Sequence, residues 1–341
     1  MRKRIRCRIA FGTRSTCFSF RWVRKGGPMS RKILARLFIA AGICVAGWLI
    51  YRTLSQHSFH EIAGSIMRIP ARNLFVGIGF VFLSYFCLTL FDTLAIRYVG
   101  RKLAYPQIAI ASFTSLSIGH NVGGAALSSG AVRYRFYSRW GLSAEEVAKV
   151  ILFCGVTVGL GLVALAGLCF LIVPSDAARL TGFSTTGAFL LGTACIAAAA
   201  GYVLLAYFLR GSVRIFRWTF EMPSVGIAAL QVVVGVANFL CVSAALHQLL
   251  SAFEEVSFID TAMAYVGAGV TAIVSHVPGG IGVLEATIAF LLGSSASLGA
   301  LIAFRAIYFF LPLPLGLISL SVAEFVARRD EEKSLVSKAK S

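Results

Sequence analysis

The sequence predicts an all-α, polytopic bundle of membrane helices, and three observations carry that expectation. Hydrophobic residues make up 58% of the chain and charged residues 13%, with a mean hydropathy of +0.82, far from the composition of a soluble domain. Several apolar runs reach the ~20 residues that a helix needs to cross ~30 Å of hydrocarbon, where the backbone must satisfy its own hydrogen bonds. These runs are continuous rather than alternating, which argues against a strand barrel.

Six full spans follow in order, at 33–51, 74–99, 150–173, 187–209, 225–250 and 299–326. The first 36 residues hold twelve Arg or Lys and no acid. The apolar run behind them is too long for a secretory signal and lacks a small-residue cleavage site, so it reads as a retained helix behind a basic cytoplasmic tail, 1–32. The membrane domain is then 33–326, and 327–341 is a second cytoplasmic tail. Residues 1–28 differ in character from the rest, and Met29-Ser30-Arg31-Lys32 is a natural start of translation. Two shorter apolar stretches remain, 107–129 and 262–293. Each carries the same pattern, His-x-x-Gly-Gly, as "HNVGG" from His120 to Gly124 and "HVPGG" from His276 to Gly280.

The formal charge of +18 sits in short segments between the apolar runs, a pattern of orientation rather than of nucleic-acid binding, for which no segment is long enough to form a basic folded face. With a cytoplasmic N-terminus and both short stretches re-entering on their own side, 27 of the 32 Lys and Arg fall inside. Four fall outside (Arg52, Arg68, Arg72, Arg179), and Arg305 lies within a span. The acidic loop 251–261, with Glu254, Glu255 and Asp260, is then external. A single full crossing by either short stretch would invert everything after it. The two stretches therefore read as helical hairpins entering from opposite faces, compatible with an inverted repeat whose broken helices meet near the midplane at a substrate site.

At a hairpin tip, Gly123, Gly124, Gly279 and Gly280 supply backbone angles that residues with a Cβ avoid, and Pro278 ends the first arm of the second hairpin. Helix N-termini at such tips attract anions. The same glycines also suit close helix packing, so both readings stand. Ionisable residues in the apolar interior are Asp92, His120, His276, Glu285 and Arg305, with Arg97 and Arg133 near its edges. Each is unfavourable in hydrocarbon and is a functional candidate by default. Glu285 and Arg305 are expected to pair, either to hold an amine-bearing headgroup or to pin the hairpin to the last helix. Asp92 and Arg97 are badly spaced for a pair on one helix, so Asp92 needs a partner from elsewhere, with Arg133 the candidate. Arg133 has the planar fork that suits phosphate. Tyr134, Tyr137 and Trp140 fit an interfacial belt, and Arg135 and Arg139 fit neutralisation of lipid surface charge. His120 and His276 are either satisfied structural groups or proton carriers. In the last span, "LPLPLG" removes backbone donors at Pro312 and Pro314 and predicts a kink. The eight cysteines show no Cys-x-x-Cys, so neither zinc, a disulfide framework nor any other cofactor is expected.

Three segments, "SFTSLSIGHNVGGAALSSGAVRYRFYSRWGLSAEEVAKVILF", "VSHVPGGIGVLEATIAFLL" and "FRAIYFFLPLPLG", together resemble the transmembrane region of bacterial lysylphosphatidylglycerol synthases and their stand-alone relatives. The resemblance covers roughly 75–326. In two-part members of that family, the membrane half is a flippase for aminoacylated phosphatidylglycerol and a cytosolic domain makes the lipid. The resemblance implies the lipid-handling half alone, with Arg133, Glu285 and Arg305 at matching motif positions and Asp92 a weaker match.

The expected function is therefore that of a phospholipid translocase or lipid-binding protein of the bacterial inner membrane, with both termini cytoplasmic and no bond-making chemistry. Its headgroup site would draw on Arg133, Glu285, Arg305, Asp92, His120 and His276. Expected partners are an anionic or aminoacylated phospholipid and a separate lipid synthase, with a homo-oligomer left open. Two alternatives remain: a membrane-embedded lipid-modifying transferase using His276 and Glu285 as acid and base, and a proton-coupled transporter of a small anion. A start at Met29 predicts that the intact mass of the purified natural protein excludes residues 1–28.

Overall fold

In a computed structural model of the protein, the structure describes residues 64, 66–122, 125–209, 212–215, 218–275, 277–293 and 297–340. All lie in one unit, Cys44–Ser341. The basic tail, Met29 and the span expected at 33–51 fall outside the described residues.

The described elements are α1 (Ala71–Tyr98), α2 (Tyr105–Val122), α3 (Ala125–Arg139), α4 (Ala144–Ile172), α5 (Pro174–Thr181), α6 (Thr185–Phe208), α7 (Val225–Leu250), α8 (Phe258–Ser275), α9 (Val283–Leu292), α10 (Leu298–Arg305) and α11 (Pro312–Lys340). A two-stranded antiparallel hairpin, β1 (Ser212–Ile215) and β2 (Trp218–Glu221), joins α6 to α7, with Ser212 opposite Glu221. Among the described residues, six helices are long and apolar enough to cross a membrane: α1, α4, α6, α7, α8 and the continuous stretch Leu298–Val326. Five of them correspond to expected spans. The sixth, α8, is the first arm of the second expected hairpin, and it turns back at Pro278–Gly280 to pack along α9. The protein is thus a multi-pass, membrane-embedded helix bundle.

Helix ends follow local chemistry. Ser143 accepts a hydrogen bond from the Glu146 N–H while the Glu146 carboxylate accepts from the Ser143 N–H, so α4 starts at Ala144, six residues earlier than apolarity alone indicates. Ser184 caps α6 in the same sense, accepting from the Gly187 N–H at 3.1 Å.

Polar contacts at the helix ends identify the two ends of the bundle. At one end, Arg101 beyond α1 pairs with Glu146 at the start of α4 at 2.7 Å, and Arg135 and Arg139 of α3 both pair with Glu324 of α11. At the other end, the Asn73 side chain at the start of α1 donates to the Gln248 carbonyl near the end of α7 at 3.0 Å. There too, Arg179 of α5 pairs with Asp260 at the start of α8 at 3.1 Å. The hairpin α2–α3 therefore enters and leaves at the first end, and the hairpin α8–α9 is rooted at the second. They meet in between: a Cβ built on Gly279 would lie 3.3 Å from the carbonyl oxygen of His120 and 3.7 Å from that of Asn121.

The last span widens instead of merely kinking. Between α10 and α11, residues Ala306–Phe310 form a π turn in which the Leu311 N–H donates to the Ala306 carbonyl at 2.8 Å. Pro312 has no N–H to offer the Tyr308 carbonyl, which instead accepts from the Tyr85 hydroxyl of α1 at 3.3 Å. The Phe309 carbonyl accepts from the Asn121 side chain of α2 at 3.0 Å.

Elsewhere the helices approach through small residues. At the crossing of α4 and α7, a Cβ on Gly161 would lie 2.6 Å from the carbonyl carbon of Gly235, which no real contact tolerates. Nearby, buried Gln231 is satisfied by the Tyr202 hydroxyl at 2.6 Å and Thr157 Oγ1 at 2.9 Å, joining α6, α7 and α4. Gly161→Ala is expected to force α4 from α7 and destabilise the protein by about 1–3 kcal/mol. Gly159→Ala, where a Cβ meets nothing within 4 Å, should leave the thermal midpoint in detergent near the wild-type value.

Candidate functional site

The first charged group sits where α1, α2 and α3 converge. Arg133 donates through Nε to Asp92 Oδ1 and through Nη2 to Asp92 Oδ2, both at 2.8 Å. The same carboxylate accepts from the Tyr137 hydroxyl at 2.9 Å and the Ser112 hydroxyl at 2.7 Å. The two side chains are 4% and 0% exposed, so both charges have left water. That loss is several kcal/mol per ion, and it is offset only because the fork is bidentate and two hydroxyls fill the remaining lone pairs. The expected Asp92–Arg133 partnership is present, and it takes both edges of the carboxylate. Arg97, by contrast, is exposed. Tyr137 is not an interfacial residue as expected: it is fully buried, because its hydroxyl is needed on Asp92. Arg135 and Arg139 are likewise bound to Glu324 rather than directed only at lipid charge.

The second group is built on the turn of the other hairpin. Gly279, Gly280 and Gly282 have φ of 63°, 58° and 80°, the left-handed region that a Cβ disfavours. The turn leaves carbonyls pointing away from any helix, and Arg305 of α10 collects them, donating to the Gly279 carbonyl at 3.2 Å and to that of Gly280 at 3.4 Å. Its Nε donates to Glu285 Oε1, while Glu285 Oε2 caps α9 by accepting from the Gly282 N–H at 3.0 Å. The guanidinium also lies over the Phe309 ring, 4.9 Å from its centre. Of the two roles open to the Glu285–Arg305 pair, pinning the hairpin to the last span is visible in these contacts.

His120 stands between the groups. Its ring stacks on Tyr308 at 6.2 Å and 17°, with Tyr85 and Phe309 at its edges, and its Nδ1 is buried without a hydrogen-bond partner. Gly123, Gly124 and His276 lie outside the described residues, and Pro278 opens the turn. Contributors not singled out from sequence include Tyr85, Ser112, Asn121 and Phe309, whereas Tyr308 is the tyrosine of the Arg-x-x-Tyr pattern that begins at Arg305. Asn121 is adjacent to His120 in the repeated motif and Phe309 lies in "FRAIYFF", so proximity to a broken helix was the available signal.

A fully buried ion pair where the first hairpin packs on α1, and a second, partly buried one at the turn of the other hairpin, define a polytopic membrane protein with a polar centre. No family model matches the chain. The chain belongs to the same family as the "Uncharacterized protein slr0712" of Synechocystis sp., with 30% identity over 284 residues, 82% of this chain and 88% of that protein. It is also similar to the "Inner membrane protein YbhN" of Escherichia coli, with 28% identity over 316 residues, 90% of this chain and 96% of that one.

Asp92→Asn strands a buried guanidinium and is expected to destabilise the protein by about 3–5 kcal/mol. The double variant Asp92→Leu, Arg133→Met should lose less than that single change, because no uncompensated charge remains. Thermal unfolding in one detergent compares them.

Proposed function

We propose that the protein is a phospholipid translocase of the inner membrane, handling an anionic or aminoacylated headgroup where the two hairpin tips meet, without making or breaking covalent bonds. The observation that carries this reading is the tip-to-tip approach of Gly279 to His120 and Asn121 between hairpins rooted at opposite ends of the bundle. A site reached from both ends by separate elements can be opened to each end in turn.

The chemistry of the centre supports a headgroup as cargo. Guanidinium forks fit phosphate as well as they fit carboxylate, so a phosphodiester can take the place of Asp92 on Arg133 or of Glu285 on Arg305. A displaced carboxylate is then available to an amine on the same headgroup. The flank of the second hairpin supports a route for the tails. Most of α8 from 261 to 268 is buried, but its second half is exposed, with Val274 at 70%, and Phe290 of α9 is 84% exposed. Thr271 and Thr287 share a hydrogen bond at 2.9 Å among these apolar residues. Such a surface lets acyl chains stay in the bilayer while a headgroup enters. The resemblance to the synthase-family membrane region points the same way, and the Escherichia coli relative is called an inner membrane protein, which favours that membrane. The basic segments favour cytoplasmic termini, and a separate synthase would supply any aminoacylated lipid.

The test is transport in vesicles of phosphatidylethanolamine and phosphatidylglycerol carrying a fluorescent phosphatidylglycerol, with exposed label quenched from outside. Wild-type protein should raise the rate of headgroup crossing, and Arg305→Gln, if folded, should reduce it by about tenfold or more, the loss of one charge-assisted contact. Rates equal to protein-free vesicles, or unaltered in both Arg305→Gln and Arg133→Gln, would reject the reading.

A further inference from the structure

Among the described ionisable groups at the centre of the bundle, Asp92 with Arg133 and Glu285 with Arg305 hold each other. His120 differs, because its Nδ1 is shielded and makes no hydrogen bond. A neutral imidazole keeps one nitrogen as a donor and the other as a lone pair. A shielded donor without an acceptor is the rarer and costlier orphan, so the packing favours a lone pair at Nδ1 and the proton on Nε2. Protonation makes both nitrogens donors. It would leave a shielded N–H at Nδ1 without an acceptor and place a second positive charge near that of Arg133. The closed arrangement therefore accepts the neutral ring and rejects the cation.

The ring cannot relax alone. The carbonyl oxygen of His120 packs against Gly279 at the opposite tip, and the next residue, Asn121, holds the π turn through the Phe309 carbonyl. Titratable and charged groups face the ring from each neighbouring element. Tyr85 comes from α1, Arg133 from α3 with Asp92 bound to it, and Tyr308 from the π turn, whose Phe309 ring also lies under the Arg305 guanidinium. Both carboxylates are already engaged, so an acceptor for a new N–H arrives only when the junction opens to water or to a ligand's phosphate oxygen.

We propose that His120 is a proton-operated latch between the two hairpin tips: neutral, it holds them together, and proton uptake parts them, so that opening of the site is driven by protons. The coupling to lipid rests on the translocase reading above; the latch itself does not.

Two measurements separate these claims. The first is hydrogen exchange of segments 116–122 and 277–285 in the detergent-solubilised full chain, between about pH 5.5 and pH 8, the interval around the ordinary imidazole range. After correction for intrinsic exchange, wild-type protection of both tips should fall together as pH drops, by up to about tenfold per pH unit for one proton. His120→Phe, which keeps a stacked ring without a titrating nitrogen, should remain protected throughout, and His120→Gln should lose the pH response even if its baseline shifts. Wild-type protection that ignores pH, or a response in both variants equal to wild type, overturns the latch. The second measurement is fluorescent phosphatidylglycerol crossing in the vesicles above with an imposed pH difference. A rate that follows the pH difference in wild type but not in His120→Phe supports coupling. A rate that ignores the pH difference overturns coupling while leaving the translocase reading intact. No crossing at any pH rejects the translocase reading, and the exchange result still decides the latch.

Discussion

In hydrocarbon, a backbone N–H or C=O without a partner is several kcal/mol out of balance, and at the described breaks in the last span and the second hairpin another element supplies the missing partner. Pro312 withholds a donor from the Tyr308 carbonyl, and a tyrosine of α1 replaces it. The Phe309 carbonyl is taken by an asparagine of α2. The glycine turn of the second hairpin leaves the carbonyls of Gly279 and Gly280 to Arg305. These described breaks are thus held by other parts of the fold, and they have to lie close to those parts for the substitutions to work. A polar centre in an apolar bundle is the direct result.

The same constraint governs the charges. Asp92 sits in the interior with a bidentate arginine and two hydroxyls around it, and Glu285 divides its two oxygens between a guanidinium and a helix N-terminus. Neither arginine is held as a free cation waiting for a ligand. Any anion that binds must therefore exchange with a carboxylate already in place, which makes binding and structural change parts of one event. The pairs differ in what they hold: Asp92–Arg133 closes the base of the first hairpin against α1, whereas Glu285–Arg305 ties the tip of the second to the last span.

Much of this arrangement was legible along the chain. The two His-x-x-Gly-Gly motifs, the charge distribution and the limited length of the apolar stretches around them were enough to expect opposed hairpins, because a chain in lipid has few ways to place glycine and proline. The pairs Asp92–Arg133 and Glu285–Arg305 were expected for a similar reason, since an ion in hydrocarbon needs a counter-ion. Tyr137 was misplaced because an aromatic residue at a helix end looks alike whether it faces headgroups or a buried carboxylate. Tyr85 escaped notice because it lies in no charged or glycine-rich setting; its role comes from a carbonyl that another helix leaves open.

By itself, the sequence determined that the chain crosses the membrane repeatedly, where its helices must break, and which charges need partners, because these follow from hydrophobic length, backbone chemistry and the penalty for an isolated ion. Only the tertiary structure decided that the last span opens into a π turn, that Arg305 reaches the carbonyls of the second glycine turn, and that one histidine nitrogen is left alone where the hairpin tips touch. Those outcomes depend on distances between elements far apart in the chain, and no local pattern encodes which free carbonyl a given side chain will reach.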